Sequence, residues 1–178
     1  MTKTVKNYKE ILSKITTFVF DYDGVLSDSG VIVIENGEAL RRTNVKDGYA
    51  LQLAIKLGYR VVVISGGRGE GMRRRLEMFN PTAIFLGVNN KQLILEAFLE
   101  ENEISPNECL FMGDDIPDYH PMKYVALACC PADAAIEIQE ISHYISHKKG
   151  GDGCVRDIIE QVLKSQNKWM SSEDAHLW

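Results

Sequence analysis

Short apolar runs alternate with amphipathic stretches along most of the chain. The runs TTFVFD at 16–21 and YRVVVIS at 59–65 are typical of buried β-strands. Between such runs, apolar residues recur every three or four positions, as in DGYALQLAIKLG at 47–58, which is typical of a helix. Strands that alternate with helices predict an α/β domain with a mainly parallel central sheet.

The same pattern predicts the remaining elements. Strands are expected at 16–21, 59–65, 82–87, 108–114, 125–129 and 143–147, and helices at 47–58, 70–79, 91–102, 132–141 and 155–166, with a short helix after 114. VIVIE and EALRRT flank Asn36-Gly37, a strong hairpin signal, so we expect a hairpin insertion at about 31–43, after the first strand. It is too small to be a second domain, and we expect one domain over 1–178 with a tail from about 168 to 178.

Polar side chains follow the predicted strands at the points where the strands end. These residues are Asp21 and Asp23 after the first strand, Ser65 and Gly66 at the end of the second, Lys91 after the third, and Asp114, Asp115 and Asp118 after the fourth. Each one alone has an ordinary explanation, such as a turn or a helix cap. Because the carboxyl ends of parallel strands meet at one edge of a sheet, together they predict a single active site.

This set of side chains fits phosphoryl transfer through an aspartyl phosphate. A carboxylate attacks phosphorus, and because both groups are anionic, a divalent cation such as Mg²⁺ must screen them. We expect Asp21 and Asp114 to bind this cation. The groups expected to hold the phosphate are the Ser65 hydroxyl, the Gly66 backbone N–H and the Lys91 ammonium. Asp23 would share a strand face with Asp21, which suits a general acid and base.

The order of these motifs resembles the haloacid dehalogenase (HAD) superfamily of phosphatases. The match consists of DxDGV at 21–25, Ser65, Lys91 and GDDxxD at 113–118. The resemblance implies a Rossmann-like three-layer fold, with Asp21 as nucleophile and metal ligand and Asp114 as another ligand. It also implies that Asp23 is the general acid and base and binds the metal through its backbone carbonyl. Asp115 and Asp118 would support the site.

A narrower resemblance covers nearly the whole chain. The stretches NVKDGYA at 44–50, RRRLEMF at 73–79 and GGDGCVRDIIEQVL at 150–163 resemble the cap-less 3-deoxy-D-manno-octulosonate 8-phosphate (KDO-8-phosphate) phosphatases. The resemblance implies a sugar-acid phosphate substrate from lipopolysaccharide precursor synthesis. It implies a substrate pocket formed by Asp23, Asn44, Val45, Lys46, Asp47, Gly48, Arg68, Arg75 and Arg156. It further implies a homotetramer in which hairpins pack together and a C-terminal tail helps to close a neighbour's site.

Two departures from the family pattern leave the substrate open. Ser65-Gly66-Gly67 stands where the family usually has Thr-Gly-Arg, with Arg68 one place later, and Thr43 stands where Phe is common. Phosphatases for nine-carbon sugar acids (KDN or N-acylneuraminate 9-phosphate) are therefore an alternative. A phospho-accepting receiver domain is disfavoured by the order of its motifs. Receivers have the acidic pair on the first strand and the lysine last, whereas here DxD comes first and Lys91 precedes Asp114-Asp115. A phosphomutase is disfavoured because no segment is long enough to form a cap.

Composition narrows the class of protein further. The chain has 178 residues and a formal net charge of −5, which argues against a nucleic-acid partner. No apolar run approaches the length that crosses a membrane. The four cysteines form no CxxC pair, which favours buried thiols in a reducing compartment. The first 15 residues lack a continuous apolar segment, so we expect a cytoplasmic protein.

Overall fold

The computed structural model describes residues 7–171 and 173–176. The strands are β1 (Thr17–Phe20), β2 (Ile32–Val33), β3 (Ala39–Leu40), β4 (Arg60–Ser65), β5 (Ala83–Leu86), β6 (Cys109–Met112), β7 (Leu127–Cys130) and β8 (Tyr144–Ile145). Six of them form one parallel sheet in the order β5-β4-β1-β6-β7-β8, and β2 and β3 form a separate antiparallel hairpin. The predicted α/β fold with a mainly parallel sheet is thereby confirmed.

Seven α-helices accompany the strands in the described part of the chain. They are α1 (Tyr8–Leu12), α2 (Val45–Lys56), α3 (Glu70–Glu77), α4 (Lys91–Glu101), α5 (Tyr119–Tyr124), α6 (Ile136–Ile141) and α7 (Cys154–Ser165). The sequence did not predict α1, because five residues are too few to display a helical period. The prediction for α6 began too early, since Ala132–Ala135 form a turn before that helix.

Two hydrophobic cores lie on opposite faces of the sheet and give the molecule three layers. Phe18 and Phe20 of β1 point to the face covered by α2 and α7, whereas Val19 points to the face covered by α4, α5 and α6. This alternation is the period-two geometry of a strand buried on both sides. Each fully buried side chain of this size stabilises the fold by roughly 1.5–3 kcal/mol.

The strand order places a crevice at the centre of the sheet. The first strand of the sheet, β1, lies near its centre. The next strands, β4 and β5, lie on one side of β1, and the later strands β6, β7 and β8 lie on the other side. In open α/β sheets, ligands bind beyond the carboxyl ends of strands where the order reverses in this way. Here β1 and β6 are neighbours at this point, and Asp21 N–H donates to the Met112 carbonyl at 3.0 Å.

The predicted hairpin is present but its strands are shorter than predicted, with two residues each. It projects from the main body and exposes apolar side chains to solvent. Ile32 and Val33 are each 68% exposed. An apolar hairpin of this size gains little stability alone, so its exposed side chains require another explanation.

The C-terminal tail packs against its own chain as far as the structure describes it. The Trp169 ring lies edge-on to Tyr49 of α2, with their centroids 6.5 Å apart, and the Arg156 guanidinium lies over Trp169 at 5.5 Å. Ala175 is buried, and its carbonyl accepts a hydrogen bond from the Tyr49 hydroxyl. Trp169 and Ala175 therefore pack on their own chain, whereas Met170 is 42% exposed. The expectation that the tail from about 168 to 178 helps to close a neighbouring subunit's site stays a prediction. Trp178, also part of the predicted tail, lies outside the described residues.

All four cysteines are buried and carry free thiols, as predicted. None of the helices in residues 7–171 and 173–176 combines the length and apolar content needed to cross a bilayer.

A buried carboxylate joins α2 to α7. Asp47 lies in the first turn of α2 and accepts the backbone N–H of Arg156, in the first turn of α7, at 2.7 Å. Burial raises the pKa of Asp47 to about 6, although the backbone N–H groups of Arg156 and Gly153 partly offset this. The carboxylate thus caps α7 while bearing the cost of desolvation.

Asp47→Asn should flatten part of the pH dependence of stability. The folded pKa of Asp47 is about 6 against 3.8 for the free side chain, because burial disfavours its charge. The group therefore adds stability below about pH 4 that is lost as the pH rises to about 6. Urea unfolding of both proteins in EDTA should show the wild type losing on the order of 2 kcal/mol more than the variant over this range. Parallel curves would contradict the buried, perturbed carboxyl.

Candidate active site

A buried lysine lies at the centre of the crevice. Lys91 is the first residue of α4, and the Asn90 side chain fixes this start by accepting the Leu93 N–H at 3.2 Å. The Lys91 ammonium lies 2.9 Å from an oxygen of Asp21 and 2.6 Å from one of Asp118. Burial opposes its charge, but the two carboxylates outweigh this effect and raise the pKa of Lys91. Lys91 is therefore a fixed cation beside Asp21.

Three carboxylates surround this lysine. Asp21, Asp114 and Asp118 each offer an oxygen within 4.8 Å of the others. Burial and the negative charge of Asp118 raise the pKa of Asp21 to about 7, and burial and Asp21 raise the pKa of Asp114 to about 8. Asp114 Oδ1 is buried and has no hydrogen-bond partner among the described residues. An oxygen-rich, charge-crowded cluster with a free acceptor fits a hard divalent cation such as Mg²⁺.

Close backbone packing holds the Asp114 carboxylate in place. Gly24 has φ +86°, and a Cβ at this position would lie only 1.9 Å from Asp114 Oδ2. Any other residue would expel the carboxylate from the cluster, so the glycine in DxDG is required by this contact as well as by its backbone angle. Asp118 accepts the Asp114 N–H at 3.1 Å, while Asp115 lies outside the cluster and caps the following turn through the Ile116 N–H.

The end of β4 completes the same cavity. Ser65 is buried, and its Oγ accepts the Gly67 N–H at 3.1 Å, which leaves the hydroxyl proton free to donate. The cavity measures about 550 Å³, and its lining includes Asp21, Asp23, Ser65, Gly66, Lys91, Asp114, Asp115 and Asp118. The structure thus brings together all residues predicted for metal binding, phosphate binding and catalysis.

Asp23 has a partner that sequence reasoning missed. Arg41, just after β3 in the hairpin, donates from Nε to Asp23 Oδ1 at 2.5 Å and from Nη2 to Oδ2 at 3.1 Å. Its neighbour Arg42 points to solvent and pairs with Asp28 at 2.8 Å. The only signal in the sequence was the Arg-Arg pair at the hairpin. Without knowing which of the two faces inward, sequence alone could not assign Arg41 to the site.

A second cavity of about 590 Å³ lies between the hairpin and α3, and it contains two of the arginines predicted for the substrate pocket. Its lining includes Tyr22, Arg41, Arg68 and Arg75. The Arg75 guanidinium lies over the Phe79 ring at 4.6 Å, and no carboxylate pairs with Arg68 or Arg75 in the described part of the chain. Asp23 lines the first cavity and Arg41 lines the second, so the two cavities adjoin at this ion pair. The second cavity therefore suits an anionic group of the substrate that lies away from its phosphate.

Other residues predicted for the substrate pocket do not reach these cavities. Val45 is exposed, the Asn44 side chain caps α2 by accepting the Lys46 N–H at 2.8 Å, and Asp47 is buried against α7. Gly48 packs against Phe79 and Arg75.

Arg156 is likewise used elsewhere, because its guanidinium pairs with Glu160 at 2.6 Å and stacks on Trp169. With Asn44 and Lys46 it lines a separate cavity beside the start of α7. The predicted substrate role of 44–48 and Arg156 stays a prediction that this single chain does not support geometrically.

Known proteins share this fold and much of this sequence. The chain is 32% identical over 154 residues to the 3-deoxy-D-manno-octulosonate 8-phosphate phosphatase KdsC of Salmonella typhi, covering 86% of this chain and 82% of the relative. It is 30% identical over 156 residues to the Yersinia pestis enzyme of the same name, covering 88% and 83% of the two chains. The chain belongs to the KDO-8-phosphate phosphatase family. No family model matches it.

Solved structures of the KDO-8-phosphate phosphatase family superpose closely on this chain. A Moraxella catarrhalis structure with magnesium, phosphate and KDO has a TM-score of 0.89 at 26% identity, covering 96% of this chain and 97% of that one. A cobalt-bound Haemophilus influenzae structure has a TM-score of 0.88 at 25% identity, covering 94% and 99%. The predicted membership of the HAD superfamily and its KDO-8-phosphate phosphatase group is confirmed.

Asp114→Asn should stabilise the metal-free protein and weaken its response to Mg²⁺. Burial and Asp21 raise the pKa of Asp114 to about 8, so metal-free wild type loses stability as the pH rises from about 4 to 8. The variant removes one of the crowded charges. Its melting temperature in EDTA at pH 8 should exceed that of the wild type, and added Mg²⁺ should raise it less.

Asp115→Asn is the matched control, since Asp115 lies outside the cluster and asparagine still caps the turn. It should respond to Mg²⁺ as the wild type does. A full Mg²⁺ response in Asp114→Asn would exclude Asp114 from the metal site.

Proposed function

We propose that this chain is a Mg²⁺-dependent phosphatase that hydrolyses KDO-8-phosphate in the cytoplasm, in the synthesis of lipopolysaccharide precursors. The observation that carries the proposal is the buried cluster of Lys91 with Asp21, Asp114 and Asp118 at the carboxyl end of the sheet. Such a cluster provides a nucleophilic carboxylate, a fixed cation and ligands for a metal ion. Membership of the KDO-8-phosphate phosphatase family supports the choice of reaction and substrate.

In the first step, Asp21 is the nucleophile. One of its carboxylate oxygens forms a bond to phosphorus while the ester P–O bond breaks, giving an aspartyl phosphate. Asp23 donates a proton to the departing alkoxide oxygen, and the sugar acid leaves as an alcohol. Lys91, the Ser65 hydroxyl and the Gly66 N–H stabilise the charge on the phosphoryl oxygens.

In the second step, Asp23 acts as a base. It takes a proton from a water molecule whose oxygen attacks phosphorus, and the bond from phosphorus to Asp21 breaks. Inorganic phosphate leaves, and both carboxyl groups return to their initial states. Asp21 and Asp114 are the side chains that would hold Mg²⁺, together with the Asp23 carbonyl, and the ion would screen the carboxylates from the phosphate.

The second cavity provides a site for the sugar acid. Arg75 and Arg68 lack carboxylate partners among the described residues, and a guanidinium binds a carboxylate through two parallel hydrogen bonds. We assign the substrate carboxylate to Arg75, with Arg68 on the same wall. No observation favours the nine-carbon sugar acids over KDO.

Asp21→Asn should abolish the release of phosphate from KDO-8-phosphate while leaving the fold intact, because it removes the nucleophile with almost no change in volume.

EDTA should abolish wild-type activity, and Mg²⁺ should restore it. Phosphate release should be measured across KDO-8-phosphate, the nine-carbon 9-phosphates and simple sugar phosphates.

Asp115→Asn controls for a general effect of removing a carboxylate near the site. Full activity in Asp21→Asn would remove the aspartyl-phosphate mechanism. A higher kcat/KM for a nine-carbon substrate would reassign the substrate but not the reaction.

The exposed hairpin supports a homo-oligomer, which we propose to be a tetramer. Ile32 and Val33 are largely solvent-exposed in a single chain, and adjacent Val31 and Leu40 are each 45% exposed. Apolar side chains exposed on both faces of so small a hairpin indicate an interaction site. Hairpins of several subunits packing together would bury it.

The double variant Ile32→Lys, Val33→Asp should lower the oligomer mass measured by light scattering, because it places charges in the apolar contact. Glu35→Lys, which changes a polar residue of the same hairpin, is the control and should keep the wild-type mass. A wild-type protein with the mass of one chain would contradict the oligomer.

A further inference from the structure

We propose that Arg41 is a positioning residue for Asp23: its guanidinium fork, anchored in the hairpin, aims the Asp23 carboxylate at the phosphate end of the cavity. This inference rests on the proposed phosphatase function. It adds the hairpin to the parts of the molecule on which proton transfer depends.

In the Arg41–Asp23 ion pair, Arg41 is the more deeply buried partner. The Arg41 side chain is only 9% exposed, whereas that of Asp23 is 32% exposed. Arg41 thus donates to both carboxylate oxygens of Asp23, and Asp23 also lines the cavity that would hold the phosphate. A bidentate pair fixes the orientation of a carboxylate as well as its position, which a single contact would not do.

Gly67 makes room for the carboxylate in this orientation. A Cβ at position 67 would lie 2.7 Å from Asp23 Oδ2 and 3.3 Å from Ser65 Oγ. Asp23 Oδ2 and Ser65 Oγ, one of the groups that would hold the phosphate, therefore both lie close to Gly67. The absence of a side chain at Gly67 is what allows Asp23 to lie here.

Arg41 is already committed to contacts within the chain. Besides its two bonds to Asp23, it donates from Nη1 to the Ala39 carbonyl at 3.2 Å, which ties the guanidinium to β3. Arg68 and Arg75 have no such ion pairs in the described residues and remain available for an anionic substrate group. We therefore assign a positioning role to Arg41 and substrate binding to Arg68 and Arg75.

Without Arg41, the Ser27 hydroxyl at 3.2 Å would be the one side-chain partner left to Asp23 among the described residues. A carboxylate held by one hydroxyl can rotate away from the leaving oxygen. Misplacement matters most for a leaving alkoxide, which needs the proton, and least for p-nitrophenolate, which leaves without one. A structural defect would lower both reactions alike.

The test compares kcat/KM for three esters with Mg²⁺: KDO-8-phosphate, ribose 5-phosphate and p-nitrophenyl phosphate. Arg41→Gln should lower kcat/KM about 10- to 100-fold for both alkyl esters and less than about threefold for the nitrophenyl ester, since general acid catalysis is worth about 10²–10⁴. Arg41→Lys should recover part of the loss, because it restores the charge but not the fork.

Two further variants sharpen the comparison. Arg42→Gln, the exposed neighbour that pairs with Asp28, should leave all three values unchanged. Gly67→Ala, at a position without a positive φ, should displace Asp23 and reproduce the selective loss on the alkyl esters without removing any charge.

Each pattern of results decides the question. A loss in Arg41→Gln confined to KDO-8-phosphate would make Arg41 a ligand of the substrate carboxylate and overturn the proposal. An equal loss on all three esters, or none, would overturn it as well while leaving the phosphatase function standing. A wild-type protein that cleaves none of the esters would remove the proposed function itself.

Discussion

Crowding of negative charge at the carboxyl ends of β1 and β6 is the constraint on which the site depends. Three carboxylates lie within 4.8 Å of one another, and a single ammonium lies among them. Two like charges 4 Å apart repel by roughly 4 kcal/mol near a protein surface. Lys91 offsets only part of this, which is why burial and mutual repulsion raise the pKa of Asp21 to about 7 and that of Asp114 to about 8. A divalent cation is the natural complement to such a site.

The backbone makes this crowding possible. Asp21 directly follows β1, so its position is set by the pairing of β1 with its two neighbouring strands, β4 and β6. Asp114 lies against the bare Cα of Gly24, and Asp118 reaches back to the Asp114 N–H from the next turn. Strand pairing, close packing and backbone hydrogen bonds therefore position the three carboxylates, and the Lys91 ammonium pairs with two of them.

Sequence patterns were sufficient where a residue's position follows from a long element. The parallel sheet, the convergence of Asp21, Ser65, Lys91 and Asp114, and the hairpin all follow from apolar runs and from the polar residues that end them. Sequence patterns were insufficient where tertiary contacts decide. The tail carries an apolar tryptophan, and only the structure shows that the Trp169 ring contacts Tyr49 of α2 and the Arg156 guanidinium of α7 within its own chain.

The hairpin shows why Arg41 escaped prediction and why it matters. Arg41 and Arg42 are consecutive residues that follow β3, and they differ in role although they are chemically identical. Arg41 turns inward to Asp23, whereas Arg42 remains at the surface beside Asp28. On the same hairpin, Ile32 and Val33 present apolar groups outward. One short insertion therefore holds the proposed general acid with one set of side chains and offers the proposed oligomer contact with another. The Arg41 ion pair also joins the hairpin to the domain, because Asp23 lies just after the central strand β1.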